Sequence, residues 1–211
     1  GSESQDFLQY ITVNNITKLN VGDAQYNAIC NNEGGMKDDI IVYCCKEKYI
    51  LIVNASNSEK IYNWMKLNNH KNCLVTNVSD QYSLIAVQGP ESRKVLNNIF
   101  NENIMIKFYT HMMIKMNNND FFLSRTGYTG ELGYEILVNK NNAKEIWLKL
   151  LSFNVSPCGL AVRDILRLEM RYCLYGNDID ENKTPIESGL NWIVDFEKKF
   201  IGANVLIDQK N

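Results

Sequence analysis

The sequence predicts an α+β fold built on antiparallel sheets with flanking helices. Two observations carry that expectation. Short β-rich runs come in pairs separated by tight polar turns, the signature of hairpins. Helical stretches fall between those pairs without the strict strand–helix–strand rhythm of a parallel sheet. The length of 211 residues suits one large domain or two modest ones, and composition places no boundary between them.

The elements follow in order. Asp39 to Cys45 and Tyr49 to Asn54 are β-rich and joined by Lys46-Glu47-Lys48, so they read as a hairpin. Asn57-Ser58-Glu59 caps a helix through about Leu67, with Ile61, Trp64, Met65 and Leu67 on its apolar side. Ser83 to Gln88 is a short apolar strand ended by Gly89-Pro90. Pro90 suits the first position of a helix that carries Val95, Leu96 and Ile99. Met112 to Met116 and Phe121 to Ser124 form a second hairpin around Asn117-Asn118-Asn119. Tyr134 to Val138 is a strand. Asn142 to Leu151 is a helix burying Ile146, Trp147, Leu150 and Leu151, and a further helix runs from about Leu160 to Tyr172.

Composition excludes several classes of function. Hydrophobic residues are 45% and charged residues 22%, ordinary for a globular chain, and the net charge of -2 points to neither nucleic acid nor an anionic membrane. No apolar run approaches the roughly 20 residues that span a bilayer. The six cysteines include no CxxC spacing and there are two histidines, so no metal site is expected. Most of the cysteines read as small buried hydrophobes. N-x-S/T tripeptides at Asn15, Asn54, Asn77 and Asn154 are commonplace in so Asn-rich a chain, and a reducing compartment is expected. Gly1-Ser2 reads as a remnant of a cleaved tag.

Four stretches could carry chemistry. In Gly34-Gly35-Met36-Lys37-Asp38-Asp39, two glycines permit a close backbone approach and two carboxylates follow at the mouth of a strand. Strand alternation sends one aspartate inward and the other to solvent. Asp39 shares a face with Tyr43, which makes Asp39 the expected inward carboxylate. Ser124 to Glu135 holds three glycines, two tyrosines and two glutamates in a loop between strands. It lacks the ending of a phosphate loop, but tyrosines there could stack on a planar ring while a carboxylate accepts from ring N–H groups. Pro157 to Glu169 sets Arg163 and Arg167 four apart on one helix face, and Arg163 could address an anion or a polar heterocycle. Leu174 to Leu190 is acidic and turn-rich without the pattern of a calcium loop. Taken singly, each stretch is as readily a turn, a bend, an amphipathic helix or a surface loop.

As an ordered set they resemble the T-protein (aminomethyltransferase) family of the glycine cleavage system. The similarity runs through Ile11 to Leu19, Ala24-Gln25-Tyr26, Gly34-Gly35 to Tyr43, Val53-Asn54-Ala55, Val87-Gln88-Gly89-Pro90-Glu91, Ser124 to Glu131, Arg163-Asp164 to Glu169, and Leu174 to Glu181. The resemblance implies two interleaved subdomains of a folate-binding fold over residues 3–211. It implies transfer of an aminomethyl group from the lipoyl arm of H-protein to tetrahydrofolate, releasing ammonia and methylenetetrahydrofolate. The family's essential aspartate falls on Asp39. Its folate contacts fall on Tyr26, Tyr43, Asn54, Tyr128, Glu135 and Arg163, with Glu135 and Arg163 at the polar edge of the pterin and the tyrosines along its faces. A mitochondrial matrix location is implied for a eukaryotic source and a cytoplasmic one otherwise.

Two departures accompany the resemblance. The family's segment before Ile11 and its C-terminal barrel, past Ile201-Gly202-Ala203-Asn204, are expected to lie outside these residues, and such a form is expected to have weak or no activity. Alternatives within reach are a folate-dependent demethylase, or a non-catalytic folate-binding relative of the iron–sulfur assembly type. The latter would carry a cysteine motif near Cys173. The residues around Cys173 do not match that motif.

Overall fold

The computed structural model describes residues 1–211. Its elements are α1 (Ser4–Ile11), β1 (Ala24–Cys30), β2 (Met36–Cys44), β3 (Tyr49–Ile52), α2 (Ser58–Leu67), β4 (Tyr82–Gln88), α3 (Ser92–Phe100), β5 (His111–Met116), β6 (Asn119–Ser124), β7 (Gly133–Asn139), α4 (Lys140–Ser152), α5 (Leu160–Glu169) and α6 (Ala203–Lys210). The fold is α+β with two antiparallel sheets, as the paired β-rich runs imply. The chain divides into two compact units, one made of residues 1–77 with 173–211 and the other of residues 78–172.

The first unit is built on a three-stranded sheet in the order β1-β2-β3. The β2–β3 hairpin closes at Cys44↔Tyr49, where the sequence places it. Strand β1 has no counterpart in the sequence reading, because Gln25, Asn27 and the two alanines interrupt the expected β pattern. It pairs with β2 in register Ala28↔Asp39 and Ile29↔Asp38, then slips to Cys30↔Met36, passing over Lys37. A bulge of this kind re-aims the side chains beside it. Phe7, Leu8, Ile11, Ile29, Ile40, Val42, Ile61 and Met65 form one core cluster. Val13, Ala28, Cys30, Met36, Ile179, Ile193 and Leu206 form a second. Both faces of β2 are thereby covered. Lys198 Nζ donates to the carbonyls of Gln9 and Thr12 and satisfies acceptors at the end of α1.

Gly35 shows how closely this unit is packed. A Cβ there would lie 1.8 Å from the Glu181 carbonyl oxygen. Only a residue without a side chain fits between the β1–β2 turn and that backbone.

The second unit is a four-stranded sheet in the order β4-β7-β6-β5. Met116 pairs with Asn119, so the β5–β6 hairpin turns on two residues, Asn117 and Asn118. Both have positive φ, 49° and 61°, the conformation a two-residue hairpin needs and asparagine tolerates. Its core gathers Val87, Leu96, Ile99, Phe121, Leu123, Tyr134, Ile136, Val138, Ile146 and Leu150.

Three expectations are corrected. Leu67 is 79% exposed, since α2 turns only Ile61 and Met65 fully inward. Trp147 and Leu151 are exposed, because Ile146 and Leu150 alone lie on the buried stripe of α4. Helix α3 starts at Ser92, two residues after Pro90.

Candidate functional site

The first unit brings Asp38, Asp39, Tyr26, Asn54 and Asn57 together. The two aspartates come from consecutive positions of β2 and point to opposite faces. Asp38 is the one in the core, fully buried beside Ile40 and Val42. Asp39 lies on the other face and is half-buried. The expectation of an inward Asp39 and a solvent-facing partner is therefore corrected. β2 is the central strand, its two faces are both covered, and neither aspartate points to open water.

Each carboxylate is held by named donors. Asp38 accepts from the Asn54 backbone N–H at 2.9 Å, from Asn54 Nδ2 at 2.9 Å and from Asn57 Nδ2 at 2.6 Å. Asp39 accepts from Asn54 Nδ2 at 2.8 Å and from Tyr26 Oη at 3.0 Å. Burial pushes Asp38 up to about 6, against the pull of the Asn57 and Asn54 bonds. Burial likewise raises Asp39 above the usual carboxylate range, partly offset by Asn54 and Tyr26. A half-buried carboxylate of raised basicity accepts a proton more readily than a free one, or faces a developing positive charge with little water to screen it.

Tyr26 and Asn54, expected from the resemblance as folate contacts, are both bonded to Asp39. Tyr43 does not share their access: it is 1% exposed and closed to a ligand. Two partners were missed. Asn57 reads in sequence as the cap of α2, but its side chain makes no capping bond and is given to Asp38 instead. Trp192, 68% exposed, stacks on Tyr26 with ring centroids 5.9 Å apart and planes at 26°. A lone tryptophan following a turn-rich, acidic stretch is the only signal the sequence offers.

The second unit holds the other three predicted residues. Glu135 projects from β7 on the face opposite Tyr134 and Ile136 and accepts from Thr126 Oγ1 at 2.5 Å. Burial raises Glu135, while the Thr126 bond and the Arg163 charge pull it down. The Arg163 guanidinium lies 4.5 Å from the centre of the Tyr128 ring, and Tyr128 stacks on Tyr172 at 5.7 Å and 21°. Arg163 and Arg167 part company despite their spacing. Arg163 is exposed, whereas Arg167 is buried and bonded to Asp164 and to the Tyr172 carbonyl. Gln88 also went unread. Its amide donates to the carbonyls of Thr126 and Tyr134 and fills the space over Gly127 and Gly133, where a Cβ would lie about 2 Å from it.

The sequence profile described as the GCVT N-terminal domain matches residues 1–198. The chain belongs to the GCVT family. Among GCVT relatives, a protein named aminomethyltransferase from Halothermothrix orenii is 44% identical over 217 residues, covering 100% of this chain and 61% of that protein. An aminomethyltransferase from Thermosipho melanesiensis is 44% identical over 210 residues, covering 98% of this chain and 58% of that protein. The crystal structure of glycine cleavage system aminomethyltransferase T from Bartonella henselae superposes with a TM-score of 0.91 at 31% identity, covering 99% of this chain and 59% of that one. The chain therefore spans about three fifths of the length of the relatives it matches.

Proposed function

We propose that this GCVT chain is the folate-binding part of a glycine cleavage aminomethyltransferase. The reaction takes the aminomethyl group from the lipoyl arm of H-protein and passes its one-carbon unit to tetrahydrofolate, with release of ammonia. The names of the full-length relatives support this reading. The observation that carries it is Asp39, half-buried, raised by burial and held in place by Tyr26 and Asn54.

Asp39 is the proposed catalytic carboxylate. It accepts a proton from the attacking folate amine or stabilises the positive charge that forms on it. Tyr26 and Asn54 aim it, and the task is largely one of holding two reactants in contact. The Asp39 carboxylate suits a reduced pterin, whose ring edge presents N–H groups to an acceptor. In the second unit, Glu135 offers an acceptor and Arg163 a donor, and with Tyr128 they are proposed folate contacts in their own right. Cys173, the residue a cluster-assembly relative would use, has its thiol hydrogen-bonded to the Ser188 carbonyl at 3.8 Å. The bacterial relatives favour the cytoplasmic alternative over the mitochondrial one.

Calorimetry of 5-formyltetrahydrofolate against this chain tests the binding, with Trp192 as a fluorescent reporter beside Tyr26. Saturable heat and quenching are expected, both reduced in Asp39→Asn. A full-length relative carrying the same substitution tests the catalytic role by ammonia release from aminomethylated H-protein. Loss of a positioned charge costs about 100-fold or more in turnover. Unchanged turnover would remove Asp39 from the mechanism.

A further inference from the structure

Asn54 lies just past β3 and serves both aspartates at once. Its side-chain nitrogen carries two N–H groups. That nitrogen is 2.9 Å from Asp38 Oδ1 and 2.8 Å from Asp39 Oδ1, with the Asp39 carbonyl at 3.3 Å. Turning the amide over would set its oxygen against two carboxylate oxygens at the same distances. Acceptor would meet acceptor, in a place where little water could relieve the repulsion. The direction of the amide is therefore decided by the two carboxylates, and its nitrogen is spent on them.

Asp38 is the better anchored of the two. Asn57 Nδ2 donates to its Oδ1 at 2.6 Å, and the Asn54 backbone N–H donates to its Oδ2 at 2.9 Å. It is also wholly buried, so it cannot touch a ligand itself. Asn57 makes no capping bond at the start of α2, and its side-chain amide is given to Asp38. A buried carboxylate with three N–H donors and no surface is suited to orienting a neighbour.

We propose that Asp38 is a positioning residue. Held by Asn57 and by the Asn54 backbone, it fixes the Asn54 amide so that one N–H reaches Asp39 and only the amide oxygen is left to meet a bound folate. This rests on the reading of Asp39 as the catalytic carboxylate. It adds a statement about specificity: Asn54 selects a ligand group that donates an N–H, because Asp38 together with Asp39 disfavours the opposite orientation.

The test is made on the 15N-labelled 211-residue chain, with the Asn54 side-chain amide as reporter and Asp38→Asn and Asn57→Ala as variants. In the parent chain the two Asn54 amide protons are expected as distinct signals that exchange slowly with water. In Asp38→Asn their protection falls by about tenfold, and affinity for 5-formyltetrahydrofolate falls by a similar factor, the loss expected for one charge-assisted bond. The Asn57→Ala change moves both readouts in the same direction by less, and carries the test if Asp38→Asn does not fold. A purely structural role for Asp38 would lower stability and leave the Asn54 amide of the folded protein as it was. That result in a folded variant overturns the proposal. Lost protection with unchanged affinity overturns its ligand-facing half. If the parent chain binds no 5-formyltetrahydrofolate, the folate reading fails, and the amide signals still decide whether Asp38 orients Asn54.

Discussion

Tyr26 Oη donates to Asp39 Oδ2 at 3.0 Å across the β1–β2 pair. Ala28 is the residue directly opposite Asp39, so Tyr26 reaches the carboxylate diagonally, and the small alanine leaves the path open. The bond favours the ionised form. Tyr26→Phe should therefore push Asp39 further above the usual carboxylate range and weaken 5-formyltetrahydrofolate binding by about three- to tenfold. Carboxyl 13C titration and calorimetry would show it. An unshifted Asp39 titration would mean the hydroxyl does not serve that carboxylate.

Asp38 carries a stability cost at neutral pH. Burial raises it from 3.8 to about 6, so the folded protein holds this proton more tightly than the unfolded chain does. Its contribution to stability is complete below the unfolded value and is lost as pH rises through about 6. A shift of this size corresponds to something on the order of 3 kcal/mol. Urea unfolding between pH 4 and 8 should show Asp38→Asn losing less stability than the parent across that window. Parallel curves would contradict the raised value.

Gly35→Ala should destabilise the first unit by about 3 kcal/mol or more, since the new methyl meets the Glu181 backbone 1.8 Å away and not a movable side chain. The φ of Gly35 is not positive, so the effect is one of space alone. A loss below about 1 kcal/mol in urea would show that the residue 181 backbone yields easily.

Thr126→Val keeps the shape of a 2% exposed side chain and removes the donor to Glu135. Glu135 should rise further above its ordinary value, and stability at neutral pH should fall by about 1–2 kcal/mol. An unchanged Glu135 titration would place the short bond outside its control.

Asn118→Gly should stabilise the second unit by about 0.5 kcal/mol, because asparagine tolerates a φ of 61° but glycine adopts it at no steric cost in a two-residue hairpin. A lower melting temperature would point to a side-chain role for Asn118.

Much of the architecture is legible residue by residue. The β2–β3 and β5–β6 hairpins follow from β-rich runs on either side of short polar turns, and α2 follows from Ile61 and Met65 at helical spacing. Strand β1 was not legible, because Gln25, Asn27 and the two alanines break the β pattern and are placed by bonds to residues 12–15 and by pairing with β2. Glu135 and Asp39 are singled out by the ordered resemblance, whereas the bonds that Thr126, Gln88 and Asn57 make to the candidate site have no signal in the sequence. Their side chains matter through bonds to residues 9, 46 and 19 positions away.

The sequence by itself determined the class of fold, the turns and the presence of two adjacent carboxylates at the start of a strand. Local chemistry suffices for these: period-two patterning, glycine and asparagine in tight turns, and Asp beside Asp. Which aspartate is buried was decided only by tertiary structure. Strand alternation sends the pair to opposite faces but cannot say which face is drier. The packing of two core clusters on a central strand does, and it sets Asp38 in the interior with Asn54 and Asn57 while leaving Asp39 half-open beside Tyr26.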